Sequence, residues 1–215
     1  MSVGETMAES KWERLAAGAG LIFVVLFLGA LSDPVIDPVG DGAAVVAGQL
    51  LDNRGQGRLA VYAGGLAALA LVWFVGSLRS TLRRAEGGTG RLSAVAFGGG
   101  VMAGGTLLAS TAFSSAALEF ADYGDDPAGA RLAAGFAEHL FYFTNFGMAL
   151  LVGATFVLAL RHQAIPLWLA WVGAVGGALS LVLIWPFFVL GVIVFLFWVA
   201  ALSIVLLRRV ARTPG

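Results

Sequence analysis

From Gln163 to Leu207 the chain carries no ionisable side chain. As one continuous helix, that run would be about 67 Å long, more than twice a hydrocarbon core of about 30 Å. In lipid every backbone N–H and C=O must find its partner inside the protein, so such a run has to be helical and has to fold back on itself. Pro186, in "LIWPFFVLG", lacks an amide proton and restricts the residue before it, which predicts the reversal near Trp185 to Phe187. Trp185 suits an interface there. The two arms are then about Leu167 to Ile184 and Phe188 to Leu207.

Upstream, four more apolar stretches have helical length: about Leu15 to Leu31, Leu59 to Leu78, Leu92 to Phe113 and Leu132 to Leu160. Hydrophobic residues make up 59% of the chain and charged residues 12%, about half the charged share of an ordinary soluble domain. The expected fold is therefore all-α, a six-helix transmembrane bundle forming one polytopic domain over residues 1–215, with the lipid bilayer as its surroundings. A formal net charge of zero gives no general attraction to nucleic acid, and no nucleic-acid partner is expected. With no cysteine there is no disulfide, thiolate metal site or cysteine nucleophile.

Charge sorting orients the bundle. With the N-terminus in the cytoplasm, only Arg54, Arg58 and Arg131 of the 13 basic residues fall outside. Lys11, Arg14, Arg79, Arg83, Arg84, Arg91, Arg161, Arg208, Arg209 and Arg212 fall inside. Asp33, Asp37, Asp41, Asp52, Glu119, Asp122, Asp125 and Asp126 lie outside, and Glu5, Glu9, Glu13 and Glu86 inside. Both termini are thus expected to be cytoplasmic, in a multi-pass protein of the plasma membrane. The first segment also resembles a secretory signal ending at "GALSD". Cleavage after Ser32 would leave five helices with the new N-terminus outside, so a retained anchor helix is the simpler reading.

In the first outer loop, "DGAAVVAGQLLDNRG" begins with Asp41 as a potential N-cap, continues with apolar residues at helical spacing and stops at Asn53 and Gly55. A short amphipathic helix lying on the outer surface is expected. The inner loop "RRAEGGTGR" lacks the Gly-Lys-Ser/Thr ending of a P-loop and is read as a turn. "RLAAG" at Arg14 and again at Arg131 hints at halves related by inversion, although similar tripeptides at Arg58 and Arg91 make a recurring boundary motif sufficient.

Polar residues inside apolar stretches are the candidates for function. "AEHLFYFTNFG" puts Glu138, Tyr142 and Asn145 on one helical stripe, with His139 beside it. Counting about 20 residues back from Arg161 places the outer hydrocarbon edge near Phe141. Glu138 and His139 then sit in the hydrated interface, whereas Tyr142, Thr144 and Asn145 enter the apolar layer. Helix-to-helix hydrogen bonding with interfacial anchoring is the plain reading, and an outward-opening polar cavity for a small ligand or cation is the functional one. One histidine and one glutamate are too few to hold a metal or haem, and His162 lies on the opposite side.

Glu119, Asp122, Asp125 and Asp126 form an acidic outer loop that offers oxygen ligands for a divalent cation, without EF-hand spacing. A solvated loop accounts for them more simply. Gly100 and Gly104 in segment three, and Gly173 and Gly177 in segment five, have the small-xxx-small spacing that lets helices approach closely, by default within one chain. Thr106, Ser110, Thr111, Ser114 and Ser115 are expected to bond to their own backbone carbonyls. No Ser, His and Asp set comes within evident reach, so hydrolase chemistry is weakly indicated.

Three stretches, "LLDNRGQGRL", "LRRAEGGTGRLSAVAFGGG" and "LALRHQAIPLWLAWVGAVGG", resemble in order a set of uncharacterised multi-pass membrane proteins of actinobacteria that carry domains of unknown function. The resemblance implies a six-helix plasma-membrane protein and transfers no catalytic residue, cofactor or ligand. The leading expectation is a non-enzymatic protein acting by association, as a homo-oligomer or with another membrane complex. A small-solute or ion conduit past Glu138, Tyr142 and Asn145 stands second. An enzyme using Glu138 and His139 is third, weakened because adjacent helical residues diverge by about 100°.

Overall fold

The computed structural model describes residues 18–31, 36–124, 126–182 and 187–212. Among these the regular structure is entirely helical: α1 (Gly18–Ala30), α2 (Ala43–Asp52), α3 (Arg54–Glu86), α4 (Arg91–Asp122), α5 (Pro127–His162), α6 (Leu167–Leu181) and α7 (Phe187–Arg212). Four of them, α3, α4, α5 and the Val189–Arg209 part of α7, are long and apolar enough to cross a membrane. Helices α1 and α6 are shorter apolar helices. The expected reversal at Trp185 and Pro186 lies outside the described residues. Its consequence is visible, because α6 ends at Leu181 and a separate α7 starts at Phe187.

Close contacts give the direction of each neighbour. A methyl group added at Gly100 would lie 2.5 Å from Val75, and one at Gly104 would lie 2.7 Å from Val72, so α4 rises as α3 falls. In the same way Gly99 meets Leu151 while Gly147 meets Ala103, which makes α4 and α5 antiparallel. Gly177 beside Ala149 and Val152, with the Phe156 and Trp171 rings 4.8 Å apart, sets α6 antiparallel to α5. Gly191 against Ser180, and Gly173 against Trp198, do the same for α7 and α6. Gly20 against Phe74 and Gly64 against Ala30 complete the series with α1 and α3.

The core joins helices distant in sequence. Phe23 and Phe27 of α1 have ring centroids 5.3 Å apart; Phe23 meets Phe195 of α7 edge-on at 6.4 Å, and Phe27 stacks on Phe141 of α5 at 6.0 Å. Leu71, Phe74, Leu78, Leu151, Leu158 and Trp198 are buried around them.

Local chemistry fixes the helix ends. Asp126 accepts from the Gly129 amide at 3.0 Å and Pro127 occupies the first turn, so α5 starts there. Gln163 closes α5 in the left-handed region, at φ 50°. The Gly-rich connection between α3 and α4 is a turn in which Gly87, Gly88 and Gly90 all have positive φ. Glu86, the last residue of α3 and beyond its apolar stretch, accepts from the amides of Leu92 and Ser93 at 2.8 and 2.9 Å. Desolvation pushes its carboxyl up, but the amide hydrogen bonds from Ser93 and Leu92 outweigh it and hold the pKa below the ordinary value.

The segment between α1 and α3 departs from expectation in three details. Helix α2 forms, but its apolar face (Val46, Ala47 and Leu50) packs on Ala117, Leu118, Ala121, Ala130 and Ala133 of α4 and α5. Protein, not lipid, covers that face. The N-cap is Gly42, and Asp41 instead accepts from Gln49 Nε2 at 3.1 Å. Finally, α2 stops at Asp52, and Gly55 belongs to α3, with Asn53 alone between the two helices. Arg131 on α5 secures this layer by donating to the carbonyls of Pro38 and Val39 at 2.8 and 3.1 Å.

The tightest crossing yields a test. A Gly147 methyl would lie 2.5 Å from the Ala103 backbone nitrogen, which has no side-chain freedom with which to yield. Gly147→Ala is expected to destabilise the protein by about 1–3 kcal/mol in detergent melts. Gly105→Ala, where a methyl meets nothing within 4 Å, is expected to be neutral or to gain up to about 1 kcal/mol. Equal melting of the two variants would contradict this packing.

Candidate functional site

The polar stripe of α5 is mostly satisfied by its own helix. Tyr142 Oη donates to Glu138 Oε1 at 2.7 Å, and Asn145 Nδ2 donates to the Tyr142 carbonyl at 2.9 Å. Thr144 returns its proton to the Leu140 carbonyl at 3.1 Å. The His139 ring is exposed and lies edge-on to Tyr142 at 6.4 Å. Its Nδ1 sits 2.8 Å from the Gly135 carbonyl, so the proton is on Nδ1. That bond engages His139 Nδ1 with its own helix, while Glu138 is engaged by Tyr142.

Among the described residues, one atom on the stripe has no partner. Asn145 is 2% exposed, and its Oδ1 accepts no hydrogen bond. Helix α7 presents two more buried orphans, Trp198 Nε1 and Ser203 Oγ, the latter packed at Gly20. Sequence pattern marks Asn145, because an amide in an apolar run stands out. It does not mark Trp198 or Ser203, whose burial depends on which neighbours α7 meets.

The acidic residues at the α4 to α5 junction are dispersed. Asp122 pairs with Arg58 at 2.7 Å and with Arg54 at 3.6 Å, Asp126 caps α5, and the Glu119 side chain is exposed. Asp125 lies outside the described residues. Among the described residues no three His, Asp or Glu side chains gather as metal ligands.

The small-residue pairs split by direction. Gly100 and Gly104 face α3, Gly173 faces Trp198 on α7, and Gly177 makes ordinary contact with Ala149 and Val152 on α5. Gly99 and Gly147, which the spacing pattern passes over, bring the α4 and α5 backbones together. Ser110 also departs from the expected local bonding, since its Oγ donates across to the Ala137 carbonyl of α5 at 2.7 Å. Thr106 and Thr111 do bond to carbonyls of their own helix.

No protein-family model matches the chain, and neither a curated protein nor a solved structure matches it.

The orphaned amide makes the site testable. Asn145→Leu removes a buried acceptor that has no donor and gives up only one bond within the helix, so detergent melting is expected to be unchanged or slightly raised. A loss of about 2 kcal/mol or more would show that Oδ1 holds a donor, and would mark the stripe as an occupied site.

Proposed function

We propose that the chain is a multi-pass plasma-membrane protein with six spans and cytoplasmic termini, acting by association with a second copy of itself or with another membrane complex. Alternating helix direction supports the topology, since it brings the start of α1 and the end of α7 to one side. The Arg209 guanidinium donates to the Ala164 carbonyl at 3.0 Å, which puts the end of α7 beside the α5 to α6 junction. Arg161 closes α5 at that junction, and Arg79, Arg83, Arg84 and Arg91 stand at the matching ends of α3 and α4. The opposite side holds Arg58, Asp122 and Arg131. Such sorting fits the positive-inside pattern. Helices α1 and α6 fit as spans if neighbouring protein or local thinning of the bilayer makes up their length. The likeness to actinobacterial multi-pass proteins agrees with this reading.

The observation that carries association is the outward face of α4. Gly98 and Gly105, two turns apart, are exposed, and a methyl on either would meet nothing within 4 Å. Other small-residue contacts of this helix are already used inside the chain. A face that admits close approach by a further helix is therefore left open beside exposed Val101 and Met102. The orphaned acceptor on Asn145 favours a second reading, a conduit for a small solute.

Mass photometry in mild detergent tests the first reading. A discrete oligomer is expected, reduced to monomer by Gly98→Leu with Gly105→Leu, placed where an added Cβ meets no protein atom within 4 Å. A wild-type monomer that recovers no membrane partner from native membranes would sink it, and solute flux in liposomes lost with Asn145→Leu would favour the conduit.

A further inference from the structure

At the end of the bundle where the arginines gather, α3 and the turn after it bound an open groove of about 530 Å³. It is lined by Gly76, Arg79, Ser80, Arg83 and Arg84 of α3 and by Gly87 and Gly88 of the turn. The α3 residues recur at offsets of three and four, so they share one helical face. The groove exists because side chains are missing: a methyl at Gly76, Gly87 or Gly88 would meet nothing within 4 Å.

Its charge is one-sided. Three guanidiniums stand within two turns, while Glu86, the described acid nearest them in the chain, gives its carboxylate to the amides of Leu92 and Ser93. The Arg79 guanidinium carbon lies 5.0 Å from the Phe97 ring centroid, which positions it from the α4 side. Planar guanidiniums match phosphate oxygens in pairs, as an ammonium does not.

Depth defines the rest of the occupant. Gly76 lies inside the apolar part of α3, and one turn deeper on the same face Trp73 is 57% exposed. The helical face that lines the groove thus continues past Gly76 to exposed Trp73 in the apolar part of α3. A soluble phosphate would use the arginines and leave the Gly76 and Trp73 section empty, whereas an acyl chain below a phosphate headgroup fills both. We propose that this groove binds an anionic phospholipid of the adjoining leaflet, with its phosphate on Arg79 and Arg83 and an acyl chain along Gly76 and Trp73. The proposal is independent of association, because the groove lies on α3 and the open face on α4.

Native mass spectrometry of the delipidated full chain, titrated with phosphatidylglycerol or phosphatidylcholine, tests it. Phosphatidylglycerol is expected to be retained in preference to phosphatidylcholine, and Arg79→Gln with Arg83→Gln to weaken its binding by about thirtyfold, the loss expected for two basic groups at an anionic surface. Gly76→Leu, whose Cβ meets no protein atom within 4 Å and whose side chain enters the groove, is expected to weaken it as well while all three proteins elute alike on gel filtration. Equal retention of the two lipids, or phosphatidylglycerol binding that survives either variant, would overturn the proposal. Displacement of bound phosphatidylglycerol by inorganic phosphate, but not by chloride at equal ionic strength, would assign the arginines to a soluble anion and overturn it too.

Discussion

Backbone hydrogen bonding without water is the constraint from which the rest follows. A peptide group in hydrocarbon has no partner except another peptide group or a side chain, so the apolar chain becomes helix wherever lipid surrounds it. Many polar side chains obey the same rule, with Asn145 Oδ1, Trp198 Nε1 and Ser203 Oγ as exceptions among the described residues. Thr106, Thr111, Thr144, Thr155 and Ser180 each return a proton to a carbonyl of their own helix. Tyr142 and Glu138 bond to one another.

Once helices exist, apolar surface alone does not choose their neighbours, because a lipid tail is as good a partner as leucine. Shape decides instead. Gly99 and Gly147 let α4 and α5 touch backbone to backbone; Gly100 and Gly104 receive the valines of α3; Gly173 and Gly176 receive Trp198 and Val194 of α7. At the end of the bundle that carries α2 the mode changes. There α2 buries an ordinary apolar face, Asp122 pairs with two arginines, and Arg131 clasps loop carbonyls.

Helical composition and the fold-back between α6 and α7 were legible in the sequence because both follow from one local rule, the length of the apolar run. Helix ends were less so. Segment two was expected to end at Leu78, but α3 continues to Glu86, since polar residues past the lipid edge still favour helix once it has started. Glycine spacing showed that α4 packs closely on something. It did not show which glycine meets which helix, because Gly99 and Gly100 differ by about 100° around the axis and only the assembled bundle says what lies in each direction. Glu138, Tyr142 and Asn145 were recognisable as a stripe, while the missing partner of Asn145 depends on its neighbours. The arginine groove was visible only as a basic turn, for its shape comes from glycines that leave space unfilled.

The topology carries the account, and the absence of native cysteine makes it directly measurable. Single cysteines replace Thr89, in the turn between α3 and α4, and Tyr123, at the opposite end of α4, both exposed. A membrane-impermeant maleimide applied to intact cells is expected to label Tyr123→Cys at once and Thr89→Cys only after permeabilisation. Labelling of Thr89→Cys in intact cells would place the arginine-rich end outside and contradict the six-span, termini-inside arrangement.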